Sequence, residues 1–319
     1  MHCSFKSIPM KSLYPTYIVL FAVMLLWFTP TAKAQQDPQY TQYLYNTMSI
    51  NPAYAGSLEA LDVVGTYRDQ WVGIDGAPNT QNLGIHTPLR NDRIGLGINI
   101  SHDRLGPSRE VLINGNFSYK LQLSPTLKLG LGLKAGVNFL NVDFSEGQFQ
   151  DPNDPVLNTN VDNRTTLTLG TGAYLYSNNW YLGLSVPDFI TDSFYDNMDQ
   201  SISEEELQYY LIGGYVFDLS TDFRLKPAFL LKYLRNTPIV VDVSANVLYR
   251  ERITFGVSYR YEDAISGVVG FQIIPSVFVG YSYDYTLTDL GDFNDGTHEI
   301  VLRFTLVKQS KRINSPRFF

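Results

Sequence analysis

The sequence of 319 residues predicts an all-β protein, a transmembrane antiparallel β-barrel of about 14 strands. Hydrophobic residues alternate with polar or small ones, many of these runs are about 9 to 14 residues long, and the connections between them sort by length. Only 17% of the residues are charged, against about 25% in ordinary soluble domains. An aromatic content of 14% excludes a disordered chain.

Residues 1–34 have the features of a secretory signal peptide. Basic residues precede an apolar run from Ile18 to Phe28, and the small-residue pattern Ala-Lys-Ala follows at 32–34. The apolar run has 11 residues, which is too short for a membrane-spanning helix. We therefore expect cleavage before Gln35 rather than a membrane anchor.

Loss of this segment would leave the chain acidic and without a thiol. It removes three lysines, no acidic residue and the only cysteine, Cys3, which leaves 21 basic and 31 acidic side chains. A net charge of −10 excludes a nucleic acid as partner, because phosphate binding needs a basic surface. Disulfides, thiolate metal sites and cysteine nucleophiles are excluded as well.

Residues 35–58, here called the plug segment, read QQDPQYTQYLYNTMSINPAYAGSL and do not resemble a transmembrane strand. A barrel of about 14 strands encloses more space than its own side chains fill. We therefore expect this segment to pack into the periplasmic half of the lumen. The residues expected to fill the lumen are Tyr40, Tyr43, Asn51, Pro52 and Tyr54.

Residues 59–307 carry the strands. In the clearest run, from Leu127 to Phe139, the odd positions are hydrophobic and the even positions are polar or glycine. Gly95, Gly97, Gly130 and Gly132 are expected to leave space in the lumen beneath bulky neighbours. Such runs predict strands at 60–69, 80–88, 92–102, 110–123, 126–142, 165–177, 179–187, 207–219, 222–235, 239–249, 252–262, 265–274, 276–287 and 298–307.

The connections predict how the barrel lies in the membrane. After even-numbered predicted strands they are tight turns, at about 89–91, 124–125, 178, 220–221, 250–251 and 275. After odd-numbered strands they include five longer loops, at 70–79, 103–109, 143–164, 188–206 and 288–297. Outer-membrane barrels have short periplasmic turns and long external loops, and a soluble β-sandwich does not sort its loops in this way. We therefore expect both termini in the periplasm, including a basic tail at 308–319.

Charged side chains within the strands are expected to face the lumen. An Arg or Lys that faces lipid at the middle of the bilayer costs about 2 to 4 kcal/mol. We expect an internal mesh of ion pairs that stiffens the barrel, and favour it over a substrate path. The lumen charges are Arg68, Lys128, Lys134, Arg224, Lys226, Lys232, Arg260 and Arg303, opposed by Asp62, Asp242, Glu262 and Asp284.

No arrangement of residues points to catalysis or to a cofactor. His86, His102 and His298 are far apart in the sequence, and nothing in their spacing to acids or serines resembles a triad. The stretch 292–296 lacks the ligand order of a calcium loop and predicts a turn. We expect no metal, no cofactor and no enzymatic activity.

Several strings, spread from residue 37 to residue 300, carry a resemblance to a known family. They are DPQYTQYLYNTMSINPAYAGS, YRDQWVGIDGAPNTQNLGIHTPL, LGLGLKAGVNF, NDPVL, WYLGLSVPDF, KPAFLLKY, GYSYDYTLTDL and GTHEI. The sequence resembles the PorP/SprF family of type IX secretion system membrane proteins. The resemblance implies an outer-membrane barrel of Bacteroidetes-type bacteria, needed for type IX secretion or for display of secreted adhesins, including those of gliding motility.

The resemblance also implies partners and a docking site. The partners would be a secreted protein with a type IX C-terminal domain, other type IX components and outer-membrane lipid. The matching external stretch runs from Gln70 to Thr80 and contains Trp71, Asp75, Ala77 and Pro78. Trp71 either anchors the partner or lies in the interfacial aromatic girdle. The alternative function is a channel for small solutes, with residues 35–58 as a movable hatch.

Overall fold

The computed structural model describes residues 40–90, 92–146, 160–188, 207–234 and 237–306, and the account below is confined to them. The predicted signal peptide and the basic tail lie outside the described residues. So do the first five residues of the plug segment and most of the predicted loops 143–164 and 188–206. No helix in the described ranges is long and apolar enough to cross a membrane.

The described residues form one closed antiparallel barrel of 14 strands. Each strand pairs with the next along the chain, and β1 pairs with β15 to close the sheet. Two short elements, β8 and β9, together form one barrel strand. The bounds are β1 Leu61–Asp69, β2 Asn79–Pro88, β3 Ile94–Leu105, β4 Ser108–Gln122, β5 Lys128–Val142, β6 Val161–Tyr176, β7 Trp180–Val186, β8 Gln208–Tyr215, β9 Phe217–Asp218, β10 Phe223–Leu234, β11 Val240–Tyr249, β12 Ile253–Arg260, β13 Ala264–Ile274, β14 Val277–Thr286 and β15 Thr297–Leu306.

The break between β8 and β9 has a local cause in the neighbouring strand. β10 pairs with β8 from Ala228 onward and with β9 up to Leu225. Pro227 lies between these two stretches and has no N–H to donate to the ladder. The barrel therefore continues across the break, and β10 is unpaired on this side only between Leu225 and Ala228.

The predicted strands are confirmed, with ends that shift by a few residues. The parity of the clearest run also holds, since Leu131 and Leu133 expose 46% and 58% of their surface while Lys134 is buried. The largest change at a strand end is in β6, which starts at Val161 instead of 165. It starts early because its pairing with β5 extends that far.

One end of the barrel, here called the loop end, carries the connections 70–78, 106–107, 143–160, 187–207, 235–239, 261–263 and 287–296. The opposite end, the turn end, carries only tight turns. The expectation of a long loop at 103–109 is wrong, because β3 and β4 continue and leave a turn of Gly106 and Pro107. The expected lumen position of Glu262 is also wrong, since Glu262 is exposed in the turn 261–263.

The described part of the plug segment, residues 40–58, packs inside the barrel. It contains a short helix, α1 (Thr47–Ile50), and a 3-10 helix, Pro52–Tyr54. The Oδ1 atom of Asn51 caps the second helix by accepting a hydrogen bond from the backbone N–H of Ala53 at 3.0 Å. Almost all of these residues are buried.

The plug segment is not confined to the half of the lumen at the turn end. Thr41 contacts Arg68, which is the residue before the last one in β1 and so lies close to the loop end. Gly56 contacts Lys120, two residues from the turn end of β4. The expectation of a plug in only one half is therefore wrong, and the segment extends through most of the lumen.

Candidate functional site

A buried ion cluster fixes the first described residues of the plug segment. The guanidinium of Arg68 lies 2.9 Å from the carboxylates of both Asp284 and Glu299, and all three side chains are at most 3% exposed. The two carboxylate oxygens of Glu299 accept hydrogen bonds from the backbone N–H groups of Thr41 and Gln42, each at 2.9 Å. One carboxylate thus satisfies the wall cation and two main-chain donors of the segment together.

A second cluster holds the segment nearer the turn end. Asp62 lies 2.8 Å from Arg303 and 3.4 Å from the Nε2 atom of His86. The other ring nitrogen of His86 accepts a hydrogen bond from the backbone N–H of Gly56 at 3.2 Å. Arg303 and Asp62 were predicted in the lumen from the parity of their strands. The contact of His86 with the plug segment was not predicted.

Glycines on the inner face of the wall form the surface against which the segment packs. A Cβ atom built on Gly95 would lie 2.0 Å from the carbonyl oxygen of Ala55, and one on Gly132 would lie 2.1 Å from the backbone nitrogen of Ala53. Only a residue without a side chain permits this approach. The space expected beneath the alternating glycines is present, and the backbone of the plug segment occupies it.

Polar wall side chains satisfy the carbonyl groups of the segment. Ser118 donates to the carbonyl oxygen of Ala55 at 2.6 Å, and the ammonium of Lys120 donates to that of Gly56 at 2.8 Å. Ser185 donates to the carbonyl oxygen of Ile50 at 2.6 Å. Buried main-chain polar groups need such partners, so the wall is chemically matched to the segment as well as shaped for it.

The five residues predicted to fill the lumen are all buried. Tyr43 and Tyr54 each expose only 2% of their surface. Burial raises the pKa of the Tyr43 hydroxyl well above its usual value. The ring of Tyr54 meets His86 and Tyr174 edge-on, with centroids 5.4 and 5.3 Å apart. These rings join a larger buried cluster of Tyr40, Tyr43, Met48, Ile50, Ala53, Tyr54, Ala55, Tyr174, Tyr176, Tyr181, Tyr210, Ile212 and Leu230.

Most predicted lumen charges are buried in the wall, and three are not: Glu262 in its turn, and Lys128 and Arg224. Arg68, Lys134, Lys226, Arg260, Asp242 and Asp284 expose 5% of their surface or less. Lys128 and Arg224 lie at the turn end with side chains 27% and 34% exposed. There they pair with Glu59 at 2.6 Å and Glu251 at 2.7 Å, residues that precede β1 and lie in a turn.

Further buried lumen charges form ion pairs elsewhere along the wall. Arg260 lies 3.5 Å from Asp242 and 3.0 Å from Asp263. Lys134 pairs at 2.9 Å with Asp188, which lies two residues after the end of β7. Ion pairs of buried wall residues thus occur at several places around the lumen.

The predicted docking stretch runs from Gln70 to Thr80, and its loop part, residues 70–78, is held at the loop end by backbone hydrogen bonds. Val72 donates to the carbonyl oxygen of Gly296 at 2.9 Å and accepts from the N–H of Asp295 at 2.7 Å. The N–H of Gly106 donates to the carbonyl oxygen of Gly76 at 2.8 Å. These contacts join three connections of the loop end into one ledge, here called the loop-end ledge (70–78, 106–107 and 287–296).

The exposed groups of the ledge differ in part from those predicted. Asp75 is exposed at the tip of its loop, whereas Gln70, Trp71, Ala77 and Pro78 are only half-exposed. The most exposed large hydrophobic residue in the described ranges is Phe293, at 73%. It ends the 3-10 helix Asp289–Phe293, and its isolated position in a polar loop gave no periodic signal.

Comparison with solved structures finds several chains that match most of this one at low identity. The CymD monoaromatic hydrocarbon channel has a TM-score of 0.48 and 15% identity, covering 82% of this chain and 91% of that chain. The Ralstonia pickettii toluene transporter TbuX has a TM-score of 0.46 and 12% identity, with coverages of 82% and 92%. A Pseudomonas aeruginosa FadL homologue has a TM-score of 0.47 and 11% identity, with coverages of 88% and 96%.

Comparison with protein families is more specific. No curated protein matches the sequence. A family model described as "Type IX secretion system membrane protein PorP/SprF" matches residues 32–304, from the end of the predicted signal peptide to the last strand. The barrel and this match support a location in the outer membrane. The chain belongs to the PorP/SprF family of type IX secretion system membrane proteins.

Proposed function

We propose that this chain is a noncatalytic outer-membrane barrel that supports the export or surface anchoring of a secreted protein by docking the C-terminal domain of that protein at the loop end. The observation that carries the proposal is the occupied lumen. Residues 40–58 lie against wall glycines and are bonded to wall side chains from the Arg68 cluster to Lys120. Occupation of the lumen favours a surface platform over a channel with a movable hatch.

The loop end supplies the features that a docking platform needs. The ledge is fixed by main-chain hydrogen bonds, so little conformational entropy is lost when a partner binds it. Phe293 presents an exposed aromatic ring, the kind of side chain that dominates protein interfaces. In this proposal the loop end faces the cell surface, and the tight turns and the carboxyl terminus face the periplasm.

The docking proposal is tested by purification from native membranes in a mild detergent, followed by identification of the proteins that remain bound. We expect a secreted protein with a type IX C-terminal domain. The variants Phe293→Ala and Trp71→Ala separate the exposed ring from the predicted anchor. Phe271→Ala is the matched control, because Phe271 is 48% exposed on the outer face of β13, far from the ledge.

The expected result is that at least one ledge variant loses the partner while the Phe271→Ala protein retains it. Absence of any type IX substrate from the purified complex would refute the docking role. Equal recovery of the partner with all three variants would refute the ledge as its site.

A cellular test asks whether the protein is needed for display of its partner. In a strain that lacks this chain, we expect a specific surface adhesin, such as one used in gliding, to be released into the medium or retained in the cell. The measurement is quantitative mass spectrometry of surface and medium fractions. An unchanged surface proteome would contradict the proposal.

A further inference from the structure

The outer face of the hairpin formed by β3 and β4 changes from apolar to basic toward the loop end. On β3 the outward side chains are apolar up to Ile100, and His102 and Arg104 occupy the next two outward positions. On β4 the outward residues are apolar or glycine up to Val111, and Arg109 follows. Both arginines are exposed, and they lie directly opposite each other in the antiparallel ladder. Two adjacent cations therefore end the apolar surface of this hairpin.

The length of β3 places these arginines at a border of the apolar band of the membrane. Ile94 is the first outward residue of β3 after the turn, and Arg104 lies ten positions further along the strand. Ten positions span about 33 Å along the strand, and about 25 Å along the membrane normal at a strand tilt of about 40°. The apolar band of an outer-membrane barrel is about 25 Å tall. With Ile94 at one border, Arg104 reaches the other, where the lipid headgroups lie.

The acidic residues next to the arginines in the sequence point to the other face of the sheet. Asp103 has the parity of the lumen side and accepts a hydrogen bond from the hydroxyl of the buried Thr80 at 2.5 Å. Glu110 also has lumen parity and accepts a hydrogen bond from the side-chain amide of the buried Asn138. The sheet therefore separates these two carboxylates from the lipid side of the arginine pair.

The flanking strands supply little negative charge on the outer face. Asn79 lies opposite Arg104 in β2, and its side-chain amide donates to the carboxylate of Asp69 at 3.2 Å. This acid is therefore two strands away from Arg104. On the other flank, Arg109 acts through its charge on the carboxylate of Asp143, the residue after β5. Among the described residues beside the two guanidinium groups, positive charge is thus in excess.

The chemistry of this border favours an anion with an apolar part. Like charges directly opposite each other destabilise a sheet, and an anion between them removes the repulsion. A guanidinium group binds a phosphate through two parallel hydrogen bonds and is more weakly hydrated than an ammonium group. The exposed side chains of Ile98 and Ile113 continue the same outer face toward the turn end and offer a surface for acyl chains.

We infer that this hairpin binds an anionic lipid of the leaflet at the loop end, with the lipid phosphate between Arg104 and Arg109 and the acyl chains on the apolar strand face. The lipid would neutralise the two cations at the level where the barrel leaves the apolar band. The inference concerns the outer face of the barrel, so it does not depend on the docking proposal. It also does not depend on which end of the barrel faces the cell surface.

Native mass spectrometry of the detergent-purified protein tests the inference in a lipid titration. The probe is phosphatidylglycerol, and phosphatidylcholine with the same acyl chains is the zwitterionic comparison. Glycerol 3-phosphate supplies the phosphate without chains. The double variant Arg104→Gln/Arg109→Gln removes both charges and keeps polar side chains. The matched control is Arg250→Gln/Arg252→Gln, because these arginines are also exposed but lie together in a turn at the turn end. Heat-modifiable migration on a gel verifies that each barrel is folded.

We expect the parent protein to bind phosphatidylglycerol at least about fivefold more tightly than phosphatidylcholine, because the phosphate makes charge-assisted hydrogen bonds. The variant of residues 104 and 109 should lose this preference, each single variant should lose part of it, and the control should keep it. Equal affinity of the parent for both lipids would overturn the inference, and so would an equal loss in the control. Displacement of the lipid by glycerol 3-phosphate at equal concentration would also overturn it, because the apolar face would then contribute nothing.

Discussion

Single glycines set the distance between the barrel wall and its contents. Gly95 and Gly132 allow main-chain atoms of the plug segment to approach the strands at distances that no other residue permits, and Gly97 does the same for the sulfur of Met48. Between these contacts, charged residues such as Arg68 and Glu299 bind the segment directly. Shape and charge at individual positions therefore hold a segment that has little regular structure of its own.

The glycine contacts predict the effect of a single methyl group. In Gly132→Ala the new Cβ would lie 2.1 Å from the backbone nitrogen of Ala53, so the segment must move. Overpacking of this kind costs about 1 to 3 kcal/mol. We expect chymotrypsin to cleave within residues 40–54 of the detergent-purified variant at least about fivefold faster than in the parent protein.

The control for this prediction is Gly267→Ala, because a Cβ at Gly267 meets nothing within 4 Å. Its cleavage rate should equal that of the parent protein. If the two alanine variants were cleaved at the same rate, the wall glycines would not hold the segment.

The buried ion cluster predicts a large loss of stability. Arg68→Ala leaves the carboxylates of Asp284 and Glu299 buried together without their cation, and removal of one partner of a buried pair costs about 3 to 5 kcal/mol. Arg250→Ala removes the exposed pair with Asp222 and should cost less than about 1 kcal/mol. The measurement is the denaturant midpoint of each variant in detergent. Equal midpoints would show that the cluster does not stabilise the fold.

Whether a side chain faces lipid or the lumen was predictable from the sequence where its odd or even place in a strand decides this. Lys134, Lys226 and Arg260 are buried as expected, because lipid on one side of a strand leaves only the other side for a charge. Glu299 shares its parity with Arg303 and could have been found by the same rule. The contact of His86 with Gly56 could not, since 30 residues separate them and no local pattern joins them.

At the scale of elements, strands were predictable and connections were less so. A strand between lipid and a lumen must alternate hydrophobic with polar or small residues. This pattern is why β5 and the neighbouring strands can be recognised from the sequence. The turn at 106–107 was predicted as a longer loop because the strand ends at that point carry polar residues. The pairing of Val72 with Gly296 joins positions over 200 residues apart and leaves no local signal.

The loop-end ledge predicts that a change at one connection loosens another. Gly296 has φ of 88°, and a Cβ there would lie 2.5 Å from the hydroxyl of Tyr283. In Gly296→Val we therefore expect Val72 to lose its backbone hydrogen bond. Hydrogen exchange measured by mass spectrometry should then become faster at residues 70–78.

Gly115→Ala is the control for the ledge, because its Cβ would make only an ordinary contact of 3.7 Å with the carbonyl oxygen of Ala135. Exchange at residues 70–78 should be unchanged in this variant. Unaltered exchange in Gly296→Val as well would mean that the two loops are held independently.

At the scale of the whole molecule, the barrel follows from the pattern within each strand, whereas the path of the plug segment follows from contacts between distant residues. The barrel was predictable, because most of its strands are long enough to cross a bilayer and alternate hydrophobic with polar or small residues. That the plug segment fills the lumen was expected from the space available. Its path from the loop end to the turn end was not, since it depends on glycines and ion pairs from strands that only the closed barrel brings together.

The conductance of the purified, intact protein in a planar lipid bilayer is the most direct test of the occupied lumen. We predict no steady open-pore current from the intact protein, and a steady current from a variant that lacks residues 40–56. A stable current through the intact barrel, equal to that of the shortened variant, would contradict the account, because residues 40–58 would then leave an open path for ions.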